Sequence, residues 1–410
     1  MKNYDKNSLT GFVLMAAILI VFNFFFLPQN EKTITTTPIS TEVLEPISIT
    51  INNQTELTNL TKNIYKPELN NVKFGVFSKS AYSENTNYIL ENEKIKVTVS
   101  NKGGRITSVI IKEGPNNKKY KTHDGKELEI FSADSSDFNL NFSTGLSINT
   151  NELFFKAINQ DRNSITMRLE ADQNHFIDFN YNINDDYLVD FSIDLIGMDE
   201  LIPNELNYMN LEWQMKTPQT EKSKSNQDMY TGIQFQYQAD QEVDYLSFTS
   251  DDEEEINSKL SWVAFKQQFF SAIFISKGGF DKPTLLSSSK NENSDYIKNM
   301  SAKFELPYSH SQNEKLDFQF YFGPNHYKKL LSYNQKFEEL IPLGWGIFGW
   351  VNKYIIINIF DFLSKYILNY GIIILILTII IKLALSPFTY KAYLSQAKMK
   401  VLKPEIDKIT

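Results

Sequence analysis

The stretch Ile95-Lys96-Val97-Thr98-Val99-Ser100-Asn101-Lys102-Gly103-Gly104-Arg105-Ile106-Thr107-Ser108-Val109-Ile110-Ile111 decides the fold. Ile95, Val97 and Val99 share one face of an extended chain and Lys96, Thr98 and Ser100 the other, because successive strand side chains point to opposite sides. Asn101 to Gly104 then supplies turn residues before the apolar run Ile106 to Ile111, which predicts a hairpin. The period of two returns at Ile165, Met167 and Leu169, at Ile177, Phe179, Tyr181 and Ile183, and at Val189, Phe191, Ile193 and Leu195. It recurs at Leu211, Trp213 and Met215, and finally at Leu316, Phe318, Phe320 and Phe322. Spread over roughly 250 residues with no convincing long helix, the pattern predicts one large antiparallel, all-β sandwich.

Composition narrows the function classes. The 410 residues carry 41 Lys+Arg against 49 Asp+Glu, a net charge of −8, so no global positive field exists to collect nucleic-acid phosphates. Hydrophobic residues at 42% and aromatics at 14% are ample for a sizeable core, which excludes disorder across the whole chain. Cysteine is absent, which removes disulfides, thiolate metal sites, a cysteine nucleophile and a cysteine-borne lipid anchor. Arginine occurs only at Arg105, Arg162 and Arg168, so nearly all positive charge is lysine.

A mean hydropathy of −0.32 conceals two concentrated apolar runs. Leu9 to Leu27 holds no charge, and at about 1.5 Å per residue it spans roughly 28 Å, enough for a bilayer core. It leaves through Phe26, Leu27 and Pro28 with no small-residue cleavage site, so it reads as an uncleaved signal anchor with Lys2 and Lys6 in the cytoplasm. Gly371 to Ile381 is apolar except for Thr378 and reads as a second crossing. Lysines at 391, 398, 400, 403 and 408 follow it, against Glu405 and Asp407, which places this end in the cytoplasm too. Everything between the crossings is then exported, periplasmic in a cell with two membranes. The Thr-, Asn-, Glu- and Pro-rich stretch from Pro28 to Asn71 reads as a tether.

The exported domain offers little chemistry. His123, His175, His310 and His326 are scattered, with no paired spacing for a metal, and Asp251 to Glu255 lacks the alternation and glycine of a calcium loop, so it reads as a solvated loop. Large sandwiches can process sugars, yet no acid and base pair is identifiable. No catalytic residue, metal or cofactor is expected.

Leu343 to Tyr370 behaves differently. Trp345 and Trp350, among Gly344, Gly346 and Gly349, suit an interfacial position. From Lys353 onward, Lys353, Asp361, Ser364 and Lys365 fall within an arc of about 120° while Ile355, Ile356, Ile359, Phe360, Phe362, Leu363 and Ile367 occupy the rest, which predicts an amphipathic helix lying on the membrane surface. Asn369, Tyr370 and Gly371 make the corner into the second crossing. Within it lies Lys382, where a cation costs on the order of 2.5 to 3.5 kcal/mol, so it faces a watery cavity or an anionic partner, or else snorkels to the nearby cytoplasmic surface.

The stretch Lys382-Leu383-Ala384-Leu385-Ser386-Pro387-Phe388-Thr389-Tyr390-Lys391, followed by Ala397-Lys398-Met399-Lys400-Val401-Leu402-Lys403-Pro404-Glu405, resembles the second transmembrane helix and the start of the cytoplasmic helical hairpin of the YidC membrane protein insertases. Leu343-Gly344-Trp345 resembles the entry to that family's amphipathic helix. Tyr321-Phe322-Gly323-Pro324, Trp262-Val263-Ala264-Phe265-Lys266 and Asn101-Lys102-Gly103-Gly104 resemble segments of its periplasmic domain. Two departures stand out: the family's groove residue is commonly arginine, where this chain has Lys382, and the chain stops at Thr410 inside the expected hairpin, as a fragment of a longer protein would.

The resemblance implies an insertase and folding chaperone working without ATP or catalysis, in which a hydrophilic intramembrane groove holds polar parts of a nascent segment beside Lys382. Trp345, Trp350 and Pro387 would support the groove and its interface. Nascent membrane proteins, the lipid bilayer, Sec translocon components and the ribosome are the implied partners, at the bacterial inner membrane. The expected partition is 1–28 for the cytoplasmic tip and signal anchor, 29–72 for the tether and 73–335 for the β-sandwich. Residues 336–369 would form a linker and interfacial helix, 370–388 the second crossing and 389–410 the start of the hairpin. The rival reading is a two-crossing sensor with an exported ligand-binding β domain, against which the membrane lysine and the helix-interrupting Pro387 and Pro404 both weigh.

Overall fold

The computed structural model describes residues 67–114, 119–291, 295–367 and 369–406. The signal anchor over Leu9 to Leu27 and most of the tether lie outside these residues. The chain enters through helix α1 (Pro67–Phe74), so residues 67–72, expected in the tether, are helical instead. A proline opening a helix forfeits nothing, since its missing N–H has no intrahelical partner there. The helix leads straight into the core, where Phe77 is buried edge-on against Phe142 with ring centroids 5.7 Å apart.

A four-stranded antiparallel sheet follows, in spatial order β1 (Asn87–Glu91), β2 (Ile95–Ser100), β3 (Ile106–Ile111) and β4 (Leu128–Phe131). The second sheet holds β5 (Ser136–Ser143), β6 (Ser147–Asn149), β7 (Lys156–Gln160), β8 (Ser164–Glu170), β9 (Phe176–Ile183), β10 (Leu188–Ile196) and β11 (Tyr208–Pro218). After helix α2 (Lys224–Asp228) it continues with β12 (Gly232–Tyr237), β13 (Val243–Tyr245), β14 (Asp252–Ile256), β15 (Leu260–Lys266), β16 (Phe270–Lys290), β17 (Tyr296–Pro307) and β18 (Asn313–Pro324). Its main path is β6-β5-β11-β17-β16-β18-β10-β9-β8-β7, with every pairing antiparallel.

The hairpin read from Ile95 to Ile111 is present, with Ile95 opposite Ile111. Its turn depends on Gly104, at φ +62°, where a Cβ would fall 2.6 Å from the ring of Phe155. Asn101 locks the turn from within: its Oδ1 accepts from the Thr86 N–H at 2.8 Å and its Nδ2 donates to the Glu84 carbonyl at 2.8 Å. The alternating apolar residues on β8 to β11 point into one core, as the period of two requires. Phe191 illustrates it, with ring centroids 4.8 Å from Tyr181, 5.6 Å from Phe138 and 5.6 Å from Phe179.

β16 joins the halves of the second sheet. Residues 270–276 pair with β18, whereas Asp281 to Lys290 pair with β17, with a register break between Asp281 and Thr284. A strand that bends at a bulge and changes partners is how a sandwich turns a corner. The acidic run is a correction to the expected loop: Asp252 to Ile256 form β14, paired with β16 from Ser288 to Thr284. Backbone pairing does not need apolar side chains at an edge, and the exposed carboxylates of Glu253, Glu254 and Glu255 discourage further strand addition.

Candidate functional site at the junction with the membrane helix

From the last strand the chain builds a short ladder of helices: α3 (Tyr327–Leu331), α4 (Gly346–Val351), a π turn (Asn352–Ile356), α5 (Ile357–Ser364) and α6 (Tyr370–Ile406). The base is tied to the β core. Phe337 is buried with its ring 5.6 Å from Trp262, whose Nε1 donates to the Gln335 carbonyl at 2.9 Å. The hydroxyl of Tyr333 donates to Asp186 at 2.7 Å, and Lys329 pairs with the same carboxylate.

Gly344 and Gly349 shape the entry to the interfacial helix. Gly344 has φ +88°, and a Cβ on Gly349 would fall 2.4 Å from the Gly344 carbonyl oxygen, so the first turn closes only because both lack side chains. Trp345 occupies the N-cap position of α4 and is 84% exposed, and Trp350 is exposed one turn on, its ring 5.7 Å from Tyr354. Ile347, Phe348, Ile355 and Phe362 are exposed as well, so the helix presents an apolar face that nothing in the chain covers among the described residues.

Of the charged stripe, Lys353 and Asp361 turn towards the β domain, whereas Lys365 is exposed. Asp361 lies 2.9 Å from the Lys328 ammonium and 3.9 Å from Nε2 of His326, both on or beside α3. Burial pushes the His326 imidazole below its ordinary pKa, with Asp361 pulling the other way. Lys353 sits against Tyr327, whose hydroxyl pushes the lysine above its ordinary range. Lys353 and Asp361 therefore dock on the β domain and leave the aromatic side of the helix free. Reading the sequence missed these partners, because Lys328 and Asp361 are separated by 33 residues and no local pattern links them. The π turn, which rotates the helix register, was equally illegible; such turns concentrate at functional sites.

Asn369 caps α6: its Oδ1 accepts from the Gly371 N–H at 2.9 Å and its carbonyl from the Ile373 N–H at 3.2 Å. Ile373 and Leu377 are buried where α6 meets α5. Tyr370 to Met399 is long and apolar enough to cross a membrane. Lys382 is exposed twelve residues after Tyr370, about 18 Å along the helix axis. Ile379, Leu383 and Leu385 around it are exposed too.

Pro387 and Pro404, expected to interrupt the helix, lie inside it. At Pro387 the reason is local. Proline has no N–H for the Leu383 carbonyl, and that carbonyl accepts instead from the Ser386 hydroxyl at 2.8 Å. Thr378 and Thr389 bond back similarly to Ile374 and Leu385.

The histidines form no common site. His123 Nδ1 lies 3.2 Å from the Thr220 carbonyl, His310 Nε2 lies 3.0 Å from the Leu206 carbonyl, and His175 sits between Asp172 and Glu200. No cluster of metal-binding side chains occurs among the described residues.

Comparison with known proteins bears on this arrangement. Residues 88–357 match the family model of the YidC periplasmic domain, and residues 362–410 match that of the 60Kd inner membrane protein. The membrane protein insertase YidC of Bacteroides fragilis strain YCH46 is 35% identical over 418 residues, covering 99% of this chain and 66% of the relative. The protein of the same name from Phocaeicola vulgatus is 35% identical over 420 residues, covering 99% and 65%. The chain thus spans about two thirds of these relatives. Among solved structures, a putative aldose 1-epimerase from Escherichia coli K12 covers 59% of this chain and 100% of its own at 9% identity and a TM-score of 0.36, a likeness too weak to bear on function.

Proposed function

This chain belongs to the YidC membrane insertase family, and from that membership we propose that it is the part of an inner-membrane insertase and folding chaperone that holds the exported domain, the interfacial helix and the first groove-forming helix. The observation that carries the reading is Lys382, exposed on a helix whose neighbouring side chains are apolar and equally exposed. A lone ammonium at that depth is costly unless it faces water or an anion. In the longer protein it would line a groove that accepts the polar or acidic parts of a nascent segment. Attraction in a low-dielectric setting offsets the passenger's desolvation, after which lipid takes its apolar part.

The remaining roles follow from position. Trp345 and Trp350 would seat the helix 346–364 in the outer lipid interface and brace the groove together with Pro387, at which the Ser386 hydroxyl keeps α6 continuous towards the cytoplasm. The helix is about 55 Å long, well beyond a ~30 Å core, so its end would project into the cytoplasm to meet substrate or ribosome. With the first crossing over 1–28 and the tether over 29–72, both ends of this piece would be cytoplasmic and residues 73–335 periplasmic, available to Sec translocon components. Family membership sets the sensor reading aside.

The test is a photoreactive amino acid at Leu385 in the full-length protein, one turn from Lys382. Stalled nascent chains of a membrane substrate are expected to cross-link there. Adducts to lipid alone, with substrate captured elsewhere, contradict the reading.

A further inference from the structure

The end of the β domain beside the membrane helix carries apolar side chains that neither the core nor the interfacial helix uses. The turn between β15 and β16 presents Phe269, 52% exposed, and Asn325 pins that turn by donating to its main chain: its N–H donates to the Phe269 carbonyl at 2.7 Å and its Nδ2 to the Gln267 carbonyl at 3.0 Å. Phe270 packs against Tyr120 at 5.1 Å, and His326, next to Asn325, lies 3.9 Å from Asp361 of the preceding helix, whose Phe360 ring is 5.7 Å from that of Tyr370, the first residue of α6. This end of the domain therefore adjoins the mouth of the membrane helix. Gly232 pairs with Lys266, so the segment just before β12 lies at the same end, and there Met229 is 52% exposed and Tyr230 is exposed beside it.

These tips are held rigidly outward. Lys266 and Lys298, both almost fully buried, anchor the segment from beneath: Lys266 Nζ donates to the Tyr230 carbonyl at 2.9 Å and Lys298 Nζ to the Thr231 carbonyl at 2.8 Å. Two buried ammonium groups spent on two successive carbonyls leave the segment little freedom to fold Met229 and Tyr230 inward. A fixed apolar tip at the level of a membrane surface is the arrangement by which peripheral segments enter the headgroup region.

We propose that Met229, Tyr230 and Phe269 form a second membrane contact, in which the rim of the β domain enters the outer leaflet of the bilayer beside the interfacial helix. The proposal rests on the reading of α6 as a membrane crossing. Continuity with Tyr370 favours lipid over another protein as the occupant. The contact is carried by the exposed apolar side chains of Met229, Tyr230 and Phe269 and needs no anionic headgroup, so zwitterionic lipid suffices.

The chain has no cysteine, so single labels can be placed without background. The full chain in phosphatidylcholine nanodiscs is labelled with an environment-sensitive fluorophore at Met229→Cys or Phe269→Cys. Tyr208→Cys, exposed where β11 pairs with Pro307 at the opposite end of that strand from Tyr296, serves as the dry-land control, and Ile374→Cys in α6 as the membrane control. Lipids carrying a nitroxide high on the acyl chain are then added. Loss of emission at 229, 269 and 374, with 208 unchanged, is the expected result. Loss at 374 alone overturns the rim contact and leaves the crossing intact. No loss at 374 overturns the crossing and the proposal with it. Blue-shifted but unquenched labels at 229 and 269 overturn it in favour of a protein occupant.

Discussion

The carboxylate of Asp361, on the interfacial helix, lies 2.9 Å from the ammonium of Lys328, on the helix that ends the β domain. Asp361 is mostly shielded and Lys328 about half exposed, so the pair is worth about 1 kcal/mol or less in stability. Its importance is positional, since it fixes which side of the helix faces the domain. Asp361→Asn is expected to raise amide hydrogen exchange across 346–364 while shifting the melting temperature by no more than about 4 °C. The swap Lys328→Asp with Asp361→Lys should restore protection; unchanged exchange in Asp361→Asn would show that the pair holds nothing.

His326 gives the same junction a pH dependence. Burial disfavours its charged form, Lys328 and Lys329 act in the same direction, and Asp361 opposes them, with the net effect a lowered pKa. Between that lowered value and the unfolded value of about 6.5, the unfolded chain holds more protons than the folded one. Stability therefore rises with pH through this window and is lost as pH falls below about 6.5. Thermal melts from acid to neutral pH should show the slope, and His326→Gln should flatten it.

Lys266 is buried without a carboxylate partner, and burial pushes its pKa down to about 8. Keeping it charged at neutral pH costs on the order of 3 kcal/mol. Lys266→Met is expected to stabilise the domain by about 1 kcal/mol at pH 7, the lost bond to the Tyr230 carbonyl offsetting part of the gain. Because the unfolded lysine stays protonated up to about 10.4, wild-type stability rises between about pH 8 and 10.4, and the advantage of Lys266→Met should shrink across that range. An advantage independent of pH would mean that the ammonium is not what is penalised.

The four tryptophans divide cleanly between core and surface. Trp213 and Trp262 are buried, whereas Trp345 and Trp350 are exposed. Brominated lipids should quench part of the tryptophan emission of the reconstituted protein, and Trp345→Phe with Trp350→Phe should abolish that part. Quenching that survives the double change would remove the helix 346–364 from the membrane surface.

What could be read from the sequence was whatever is written in local pattern. Ile95, Val97 and Val99 alternate because their strand has one buried face, and Asn369 announces the start of α6 because a cap is a three-residue event. Features that depend on distant partners could not be read. β14 carries Glu253, Glu254 and Glu255 in succession, and an edge strand with solvent on its side chains has no alternation to display. The stripe of Lys353 and Asp361 was visible, but its docking on Tyr327 and Lys328 belongs to the tertiary fold. Pro387 looked like a helix breaker because the compensating bond from Ser386 to Leu383 becomes visible only in three dimensions.

The central claim is that the charge of Lys382, rather than its bulk, receives the passenger. Insertion of a substrate with an acidic tail is measured in liposomes containing the full-length protein with lysine, Lys382→Arg, Lys382→Ala or Lys382→Met. The account predicts that Lys382→Arg retains insertion while Lys382→Ala and Lys382→Met lose it, most severely for acidic tails. Full insertion by Lys382→Met would contradict it and return Lys382 to the role of a snorkelling lysine.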